Sequence, residues 1–432
     1  MIKATNLIQT GIAWIPEIPS DWELKRIKLL FDFNKNIVGK TSADYDVLSL
    51  TTKGVIKRDI ESGMGKFPAS FDGYQIVKPN SIMLCLFDMD VTPRVVGHVD
   101  DNGIISAAYT NIIPKKGIHS KYYYYYFLLQ DKNKSLLALG TGIRITLNKD
   151  FFGTLKIPVP PLFVQNSIVA YLDKKNNEID EFIKCKLRLI ENLKELKNQI
   201  IEKLITKGLN SSIEFKNSGL KLFGDVPNHW QVKRLRYVSK KVKTGTTPSG
   251  KVTDYFENGY YNWFTPGDFN EDYLLLDSER KVNAKALKDK EVSIFHSNSV
   301  LIIGIGGTIG KVGLITSEAS SNQQINAITF SKEILPVYGL HLLGLIGRNL
   351  INILDFTTLP ILNQGATKDL LFLAPPIDEQ TKIIEEINNI SDSTRQSISK
   401  IEQEIASIKE FREAIITDLV TGKRSVPQIQ KR

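Results

Sequence analysis

Cysteine is nearly absent: 432 residues hold two thiols, Cys85 and Cys185. That excludes a disulfide framework and a Cys-rich zinc site, and it fits a reducing compartment. Apolar runs are short as well. None approaches the roughly 18 residues of a membrane span, and the longest, such as VLIIGI at 300–305, have the length of buried strands. No apolar segment with a small-residue cleavage site follows Lys3, so a cytoplasmic location is expected. The five histidines (His98, His119, His229, His296 and His341) are scattered without metal-ligand spacing.

Catalytic signatures are missing too. An amino-methyltransferase needs a polar residue before, and an aromatic after, its Pro-Pro pair. VPPL at 159–162 and APPI at 374–377 have neither, and read as prolines leading into helices. The glycine cluster GIGGTIGKVG at 304–313 suggests a phosphate-binding loop. However, Ile305 stands where that motif has its first glycine, and Val312 where it has Ser or Thr. A tight turn between strands, its backbone amides near a phosphate, is the better reading. There is no Pro-Asp dipeptide to open a nuclease carboxylate motif, and neither cysteine lies in a nucleophile signature. Together these absences favour a binding module without a catalytic centre.

What is present begins with charge. The net charge is +9, with 42% hydrophobic and 24% charged residues. A basic soluble chain favours an anionic polymer as partner, the alternative being a generally lysine-rich surface. The length suits two domains with connecting elements.

The strongest signal is internal similarity. TGIAWIPEIPSDWELKRI at 10–27 matches SGLKLFGDVPNHWQVKRL at 218–235. Pro19, Trp22 and Lys25-Arg26 meet Pro227, Trp230 and Lys233-Arg234 at an offset of 208. TLKIPVPPLFVQNSIVAYL at 154–172 resembles DLLFLAPPIDEQTKIIEEI at 369–387 at an offset of 215. Leu204-Ile205-Thr206 meets Leu419-Val420-Thr421 at that same offset. Between these motifs the halves diverge, apart from NSIMLCLF at 80–87 against NSVLIIGI at 298–305, a shared strand. The period is far beyond that of a solenoid, so this is a domain duplication: one frame around two unlike blocks.

A long helical pattern follows each Pro-Pro. Apolar residues at Leu172, Ile179, Ile183, Ile190, Leu193, Ile200 and Leu204 form a heptad stripe interrupted by Lys186 and Lys197. Ile398, Ile401, Ile405, Ile408 and Ile415 repeat it in the second, where Ser391 and Thr394 weaken the start. Gly208 and Gly422 mark the ends. Such helices need a partner along the seam, and the economical one is the other helix, antiparallel and related by a pseudo-twofold axis. Residues 172–206 predict a rod of roughly 52 Å, or about 15 base pairs of duplex.

Candidate DNA contacts are polar-basic stretches. KKVKTGTTPSGK at 240–251 offers Lys240, Lys241, Lys243, Thr246, Thr247 and Ser249, and Lys311 closes the glycine cluster. TTKGVIKRD at 51–59 offers Lys53, Lys57 and Arg58, and VTPRVVG at 91–97 offers Arg94. Lysine and arginine neutralise phosphates, and hydroxyls and amides donate to them. Trp263 and the run KYYYYYFLLQ at 121–130, an amphipathic helix, are assigned to packing.

In its paired P-x-x-W-x-x-K-R-[IL] openings, its TGTTPS stretch at 244–249 and its paired PP-x-x-x-Q closings with two spacer helices, the chain resembles the specificity subunits of Type I restriction–modification systems, from about residue 10 to 423. One departure is Val164, where the family has the Glu that Glu379 retains; it alters a contact at one helix start. The resemblance implies an α+β fold: a first target recognition domain at 1–157, a central spacer helix at 158–210, a second recognition domain at 211–372, a C-terminal spacer helix at 373–425, and a tail at 426–432. Each recognition domain would read one half of a bipartite, asymmetric double-stranded DNA site. Ile179, Ile183, Ile190, Leu193, Ile200, Ile398, Ile401, Ile405, Ile408 and Ile415 would form the spacer and docking helices for two methyltransferase subunits. Restriction subunits would join through the complex. S-adenosylmethionine, ATP and Mg would belong to those partners, with no cofactor or metal in this chain. A specificity subunit of a fused methylase–nuclease (Type IIB/IIG-like) system remains the alternative. An enzyme with degenerate motifs and a coiled-coil adaptor without DNA contact are the more distant ones.

Overall fold

Why the opening and closing motifs recur together is answered by their pairing: in each repeat they are two strands of one ladder. The computed structural model describes residues 2–3, 6–60, 68–248, 253–270, 273–350 and 361–426, and the chain divides into two units, residues 1–186 with 402–432, and residues 187–401. In the first unit the opening motif forms β1 (Glu23–Arg26). A central sheet follows: β2 (Phe31–Asn34), β3 (Ile82–Leu84), β4 (Val96–His98) and β5 (Thr110–Pro114), in spatial order β4-β3-β5-β2, all antiparallel. Helix α1 (Ser120–Lys132) packs on it. Its aromatic run would be a poor isolated helix, and burial of Tyr122, Tyr123, Tyr125, Tyr126 and Phe127 supplies what propensity does not. Strand β6 (Lys156–Val159), from the closing motif, returns to β1 with Lys156 opposite Arg26. Helix α2 (Leu162–Lys207) then begins.

The second unit repeats this order. Its opening strand is β7 (Gln231–Arg234). Its sheet is β8 (Ser239–Thr244), β9 (Leu274–Leu275), β10 (Val300–Ile303), β11 (Val312–Ile315) and β12 (Ile325–Phe330), in order β8-β12-β10-β11-β9. Four of these strands match β2, β5, β3 and β4; β9 is an added parallel edge. Helix α3 (Pro336–Arg348) covers the sheet, and β13 (Leu371–Ala374) pairs with β7, Leu371 opposite Arg234, the register of the first unit. Helix α4 (Ile377–Val420) closes the repeat. The faint echo at 80–87 and 298–305 is a shared strand with a shared lead-in. Asn80 (φ 68°) and Asn298 (φ 61°) make left-handed turns, which Asn tolerates, and donate their N–H to Val99 O (2.9 Å) and Ile315 O (2.8 Å).

The long helices exceed the expectation. Helix α2 has 46 residues, about 69 Å at 1.5 Å per residue. It starts directly after Pro161, whose carbonyl accepts from Val164 and Gln165 N–H. Helix α4 has 44 residues and continues through Ser391 and Thr394. In the first unit, Asp180 of α2 meets Arg412 of α4, and Lys186 meets Glu404 at 2.6 Å, an antiparallel pairing that also explains the lysine in the stripe. In the second, Leu204 and Ile205 share a core with Ile383 and Ile387.

The stripe itself is covered. Ile179, Ile401, Ile405 and Ile415 are buried, and Ile183, Ile190, Leu193, Ile200, Ile398 and Ile408 are half-buried. Four of these ten residues are thus buried and six partly so, as an apolar helix seam requires. The large apolar residues left outward on these helices are Leu162, Phe163, Phe182 and Phe411 in the first unit and Leu187, Leu189, Leu196 and Ile377 in the second.

Candidate nucleic-acid interface

Each unit is clamped by the same parts. The closing-motif glutamine is buried in both units. Gln165 Oε1 accepts from His119 N–H (2.8 Å), and its amide donates to Pro160 O (2.8 Å). Gln380 Oε1 accepts from Leu335 N–H (2.8 Å), and its amide donates to Pro375 O (2.8 Å) and Glu333 O (2.7 Å). A glutamine supplies donor and acceptor together, so one side chain ties the strand end, the long helix and the segment leading to α1 or α3.

The third residue of each sheet-covering helix is a fully buried tyrosine that the sequence alone did not single out. Tyr122 OH donates to Val420 O (2.9 Å) and Tyr338 OH to Ile205 O (3.1 Å), the same position of the two long helices. Burial raises both phenols well above their ordinary range, so they remain protonated donors. Gly208 (φ 72°) and Gly422 (φ 73°) then end the helices in the left-handed conformation, against Trp230 and Trp22 respectively.

On this mount, one end of each central sheet gathers loops. In the first unit it holds the β3–β4 connection at 85–95, with Arg94 half-buried, and a second loop at 133–148. Leu147 N–H joins them by donating to Leu86 O (2.8 Å). Arg94 and exposed Lys53 line one cleft of about 1130 Å³, with Tyr124, Lys132 and Arg412. Asp131, Asp180, Glu410 and Glu413 line it also, so its charge is mixed. Lys57 lies outside it, paired with Asp46 at 2.7 Å. Arg58 is half-buried beside it in sequence.

The second unit places the β10–β11 connection, ending in exposed Lys311, at the corresponding sheet end. Leu362 N–H donates to Gly304 O (2.8 Å), the counterpart of the Leu147 contact. The connection is a turn, not a nucleotide loop: Gly310 N–H closes on Ile303 O, and Gly310 packs backbone to backbone on Gly347. Thr246 and Thr247 arrive at this end from β8. Thr246 is engaged internally, its Oγ1 accepting from Ser293 N–H and its carbonyl from Trp263 Nε1. Thr247 Oγ1 donates to Gln323 Oε1. Lys240 and Lys241 sit toward the far end of β8, exposed, and Lys243 is half-buried. Burial, then the neighbouring Lys241, lowers the Lys243 pKa. Ser249 lies outside the described residues. Trp263 is 3% exposed, with Arg280 over its ring, a core position as expected.

Among the described residues no three of His, Cys, Asp and Glu converge as a metal set, and no helix is long and apolar enough to cross a membrane. What the sheet ends offer is cations, hydroxyls and backbone amides, the kinds of group that contact a phosphate backbone.

The comparisons agree in direction. The family model described as the Type I restriction modification DNA specificity domain matches residues 19–192 and 227–407, more than half of the chain in two copies. The Type I restriction enzyme MjaVIII specificity subunit of Methanocaldococcus jannaschii is 26% identical over 438 residues, covering 95% of both chains. The MjaIX specificity subunit of the same organism is 23% identical, covering 96% of both. A chain from a solved type I R-M system assembly aligns with a TM-score of 0.66 at 14% identity, over 94% of this chain and 99% of that one. The HsdS subunit of Thermoanaerobacter tengcongensis aligns at 0.55 and 15%, over 94% and 98%.

Proposed function

The chain belongs to the family of Type I restriction modification DNA specificity subunits, and from that premise we propose that its two units read two different half-sites of one bipartite DNA sequence. The observation that carries this reading is the contrast at the sheet ends. The same four-strand order and the same clamp present Phe87–Arg94 in one unit and Gly304–Lys311 in the other, loops with no common sequence. Unlike loops on like mounts make an asymmetric site.

Phosphate contacts from Lys53 and Arg94 in the first unit and from Lys243, Thr247 and Lys311 in the second position the duplex. The long helices set the gap between half-sites. Of their outward apolar residues, Phe182 and Phe411 in one unit and Leu187, Leu189 and Leu196 in the other receive the methyltransferase subunits. S-adenosylmethionine, ATP and Mg belong to those partners and to restriction subunits, and this chain aims the assembly without a reaction of its own.

The test is duplex binding by the purified chain with its methyltransferase partner across a salt series. Affinity should fall by orders of magnitude between about 50 and 200 mM salt, as counterion release requires. Flat binding overturns the reading, and methyl transfer from labelled S-adenosylmethionine by the chain alone overturns its non-catalytic part. Removing one heptad from both helices should shorten the gap and leave the half-sites unchanged.

A further inference from the structure

The first unit carries two apolar tips, on two turns joined by hydrogen bonds, that packing does not explain. Ile143 is 102% exposed and Val91 71% exposed. Single exposed aliphatics are ordinary, but these are held outward by a built support. Thr141 and Thr146 exchange both backbone hydrogen bonds at 3.0 Å, closing a hairpin whose Gly142 (φ 97°) makes the turn. Met89 N–H donates to Ile145 O (3.0 Å) and Ile145 N–H to Asp90 Oδ1 (3.1 Å), tying the hairpin to the neighbouring turn. That turn is itself closed, Val91 N–H (3.2 Å) and Thr92 N–H (2.9 Å) both donating to Asp88 O. A loose loop would fold Ile143 back onto the protein. This one is held away from it.

One cation stands beside the tips, Arg144; Arg94, three residues beyond Val91, faces the adjoining cleft with Gly54 and Tyr124. Arg144 pairs with Asp88 at 3.3 Å with its own side chain 77% exposed, a contact weak enough for a phosphate to replace. The other carboxylate nearby, Asp90, is engaged on the hairpin's backbone. The tips stand on the sheet end whose cleft carries Arg94 and Lys53, and the occupant that satisfies an apolar point beside an exposed guanidinium at such an end is duplex DNA. An aliphatic side chain enters between base pairs there while cations hold the adjoining phosphates.

We propose that Ile143, supported by Val91, is a wedge that opens one base step in or beside the first half-site. The inference rests on reading the chain as a DNA specificity subunit. It adds that part of the first unit's selectivity is for a deformable step, so a pyrimidine–purine step stands at that position.

The experiment uses the full chain with its methyltransferase partner and duplexes bearing the methylation-mapped site, with 2-aminopurine placed at successive positions of the first half-site and its flanks. Fluorescence should rise at one step on binding. Ile143→Ala should abolish that rise and weaken binding on the order of tenfold, while Ile143→Met retains both, and neither should alter thermal unfolding of so exposed a position. A rise and an affinity unchanged by Ile143→Ala overturn the wedge. So does the absence of any rise with the unaltered chain, even if Ile143→Ala weakens binding, since that describes a groove contact. If the unaltered complex binds no duplex in a salt-dependent way, the wider reading has failed instead.

Discussion

The two units differ at one point of their clamp, and the difference separates what the clamp requires from what it tolerates. In the second unit Glu379 Oε2 accepts from Trp230 Nε1 (3.0 Å) and lies 2.8 Å from His229 Nε2. In the first unit the corresponding residue is Val164, which accepts nothing, and Trp22 instead packs edge-on against Tyr122, ring centroids 6.5 Å apart. The glutamine ties, the tyrosine pins and the terminal glycines are kept in both. The clamp therefore depends on groups that satisfy backbone atoms, where an unmet carbonyl or amide is costly in any sequence. The carboxylate is an addition specific to one unit.

Four comparisons break or sharpen that contrast. Each unit has two tryptophans, Trp14 and Trp22 in the first and Trp230 and Trp263 in the second, so variants keeping one pair report each unit's unfolding separately. The largest effect is expected at the terminal glycines. An added Cβ at Gly422 would lie 2.4 Å from Pro19 Cδ and 2.9 Å from Trp22, both rigid, whereas at Gly208 the nearest atom is the movable Glu379 Oε1 at 2.8 Å. Gly422→Ala should cost about 3 kcal/mol and Gly208→Ala about half that, from left-handed strain plus overpacking. Equal costs in denaturant titrations would show that the two ends are packed alike.

Next, Glu379→Val converts the second clamp to the pattern of the first. Leaving Trp230 Nε1 without its acceptor should destabilise the second unit by about 2 kcal/mol, while Val164→Glu in the first brings no matching gain unless Trp22 turns to meet it. Acid should act through the sixth residue of the sheet-covering helix, His341 in one unit and Tyr125 in the other. Burial, with Arg348 and Lys197 nearby, pushes the His341 imidazole down to about 4. Since the unfolded chain protonates near 6.5, this contribution is complete above that pH and is lost as pH falls toward 4. His341→Asn should flatten that part of the second unit's pH profile, and an unaltered profile would assign the acid sensitivity elsewhere. The smallest effect is expected at the tyrosines. Tyr122→Phe and Tyr338→Phe should each cost about 1 kcal/mol in their own unit, and a clear inequality would mean that one pin is not a clamp part.

Much of this architecture is legible in the sequence because duplication displays its own constraints. The offsets of 208 and 215 reappear as the two ladder registers, Arg26 opposite Lys156 and Arg234 opposite Leu371. The tyrosine run is a buried helix, as its pattern predicts. Pro160-Pro161 announces the start of α2, but the packing of residues 162–171 is not legible, since they lack the heptad stripe and are held by Pro161 and Gln165. Nor are the Tyr122 and Tyr338 pins, which end on backbone carbonyls about 300 and 130 residues away in the chain and leave no partner side chain to match. Periodicity identifies the apolar seam and its need for a partner helix, but does not show which outward side chains remain. The DNA-contacting candidates are legible only as classes of residue: Lys53 and Arg94 share a cleft, whereas Lys57 is paired aside and Lys240 sits at the other end of its strand.

The central claim is that one frame carries two independent readers. It is tested most directly by replacing the block between Trp22 and Pro160 with that of another specificity subunit, and mapping methylated adenines genome-wide in a host that supplies the methyltransferase partner. The account predicts that one half-site changes while the other half-site and the gap stay as they were. A map in which both half-sites change, or neither, contradicts it.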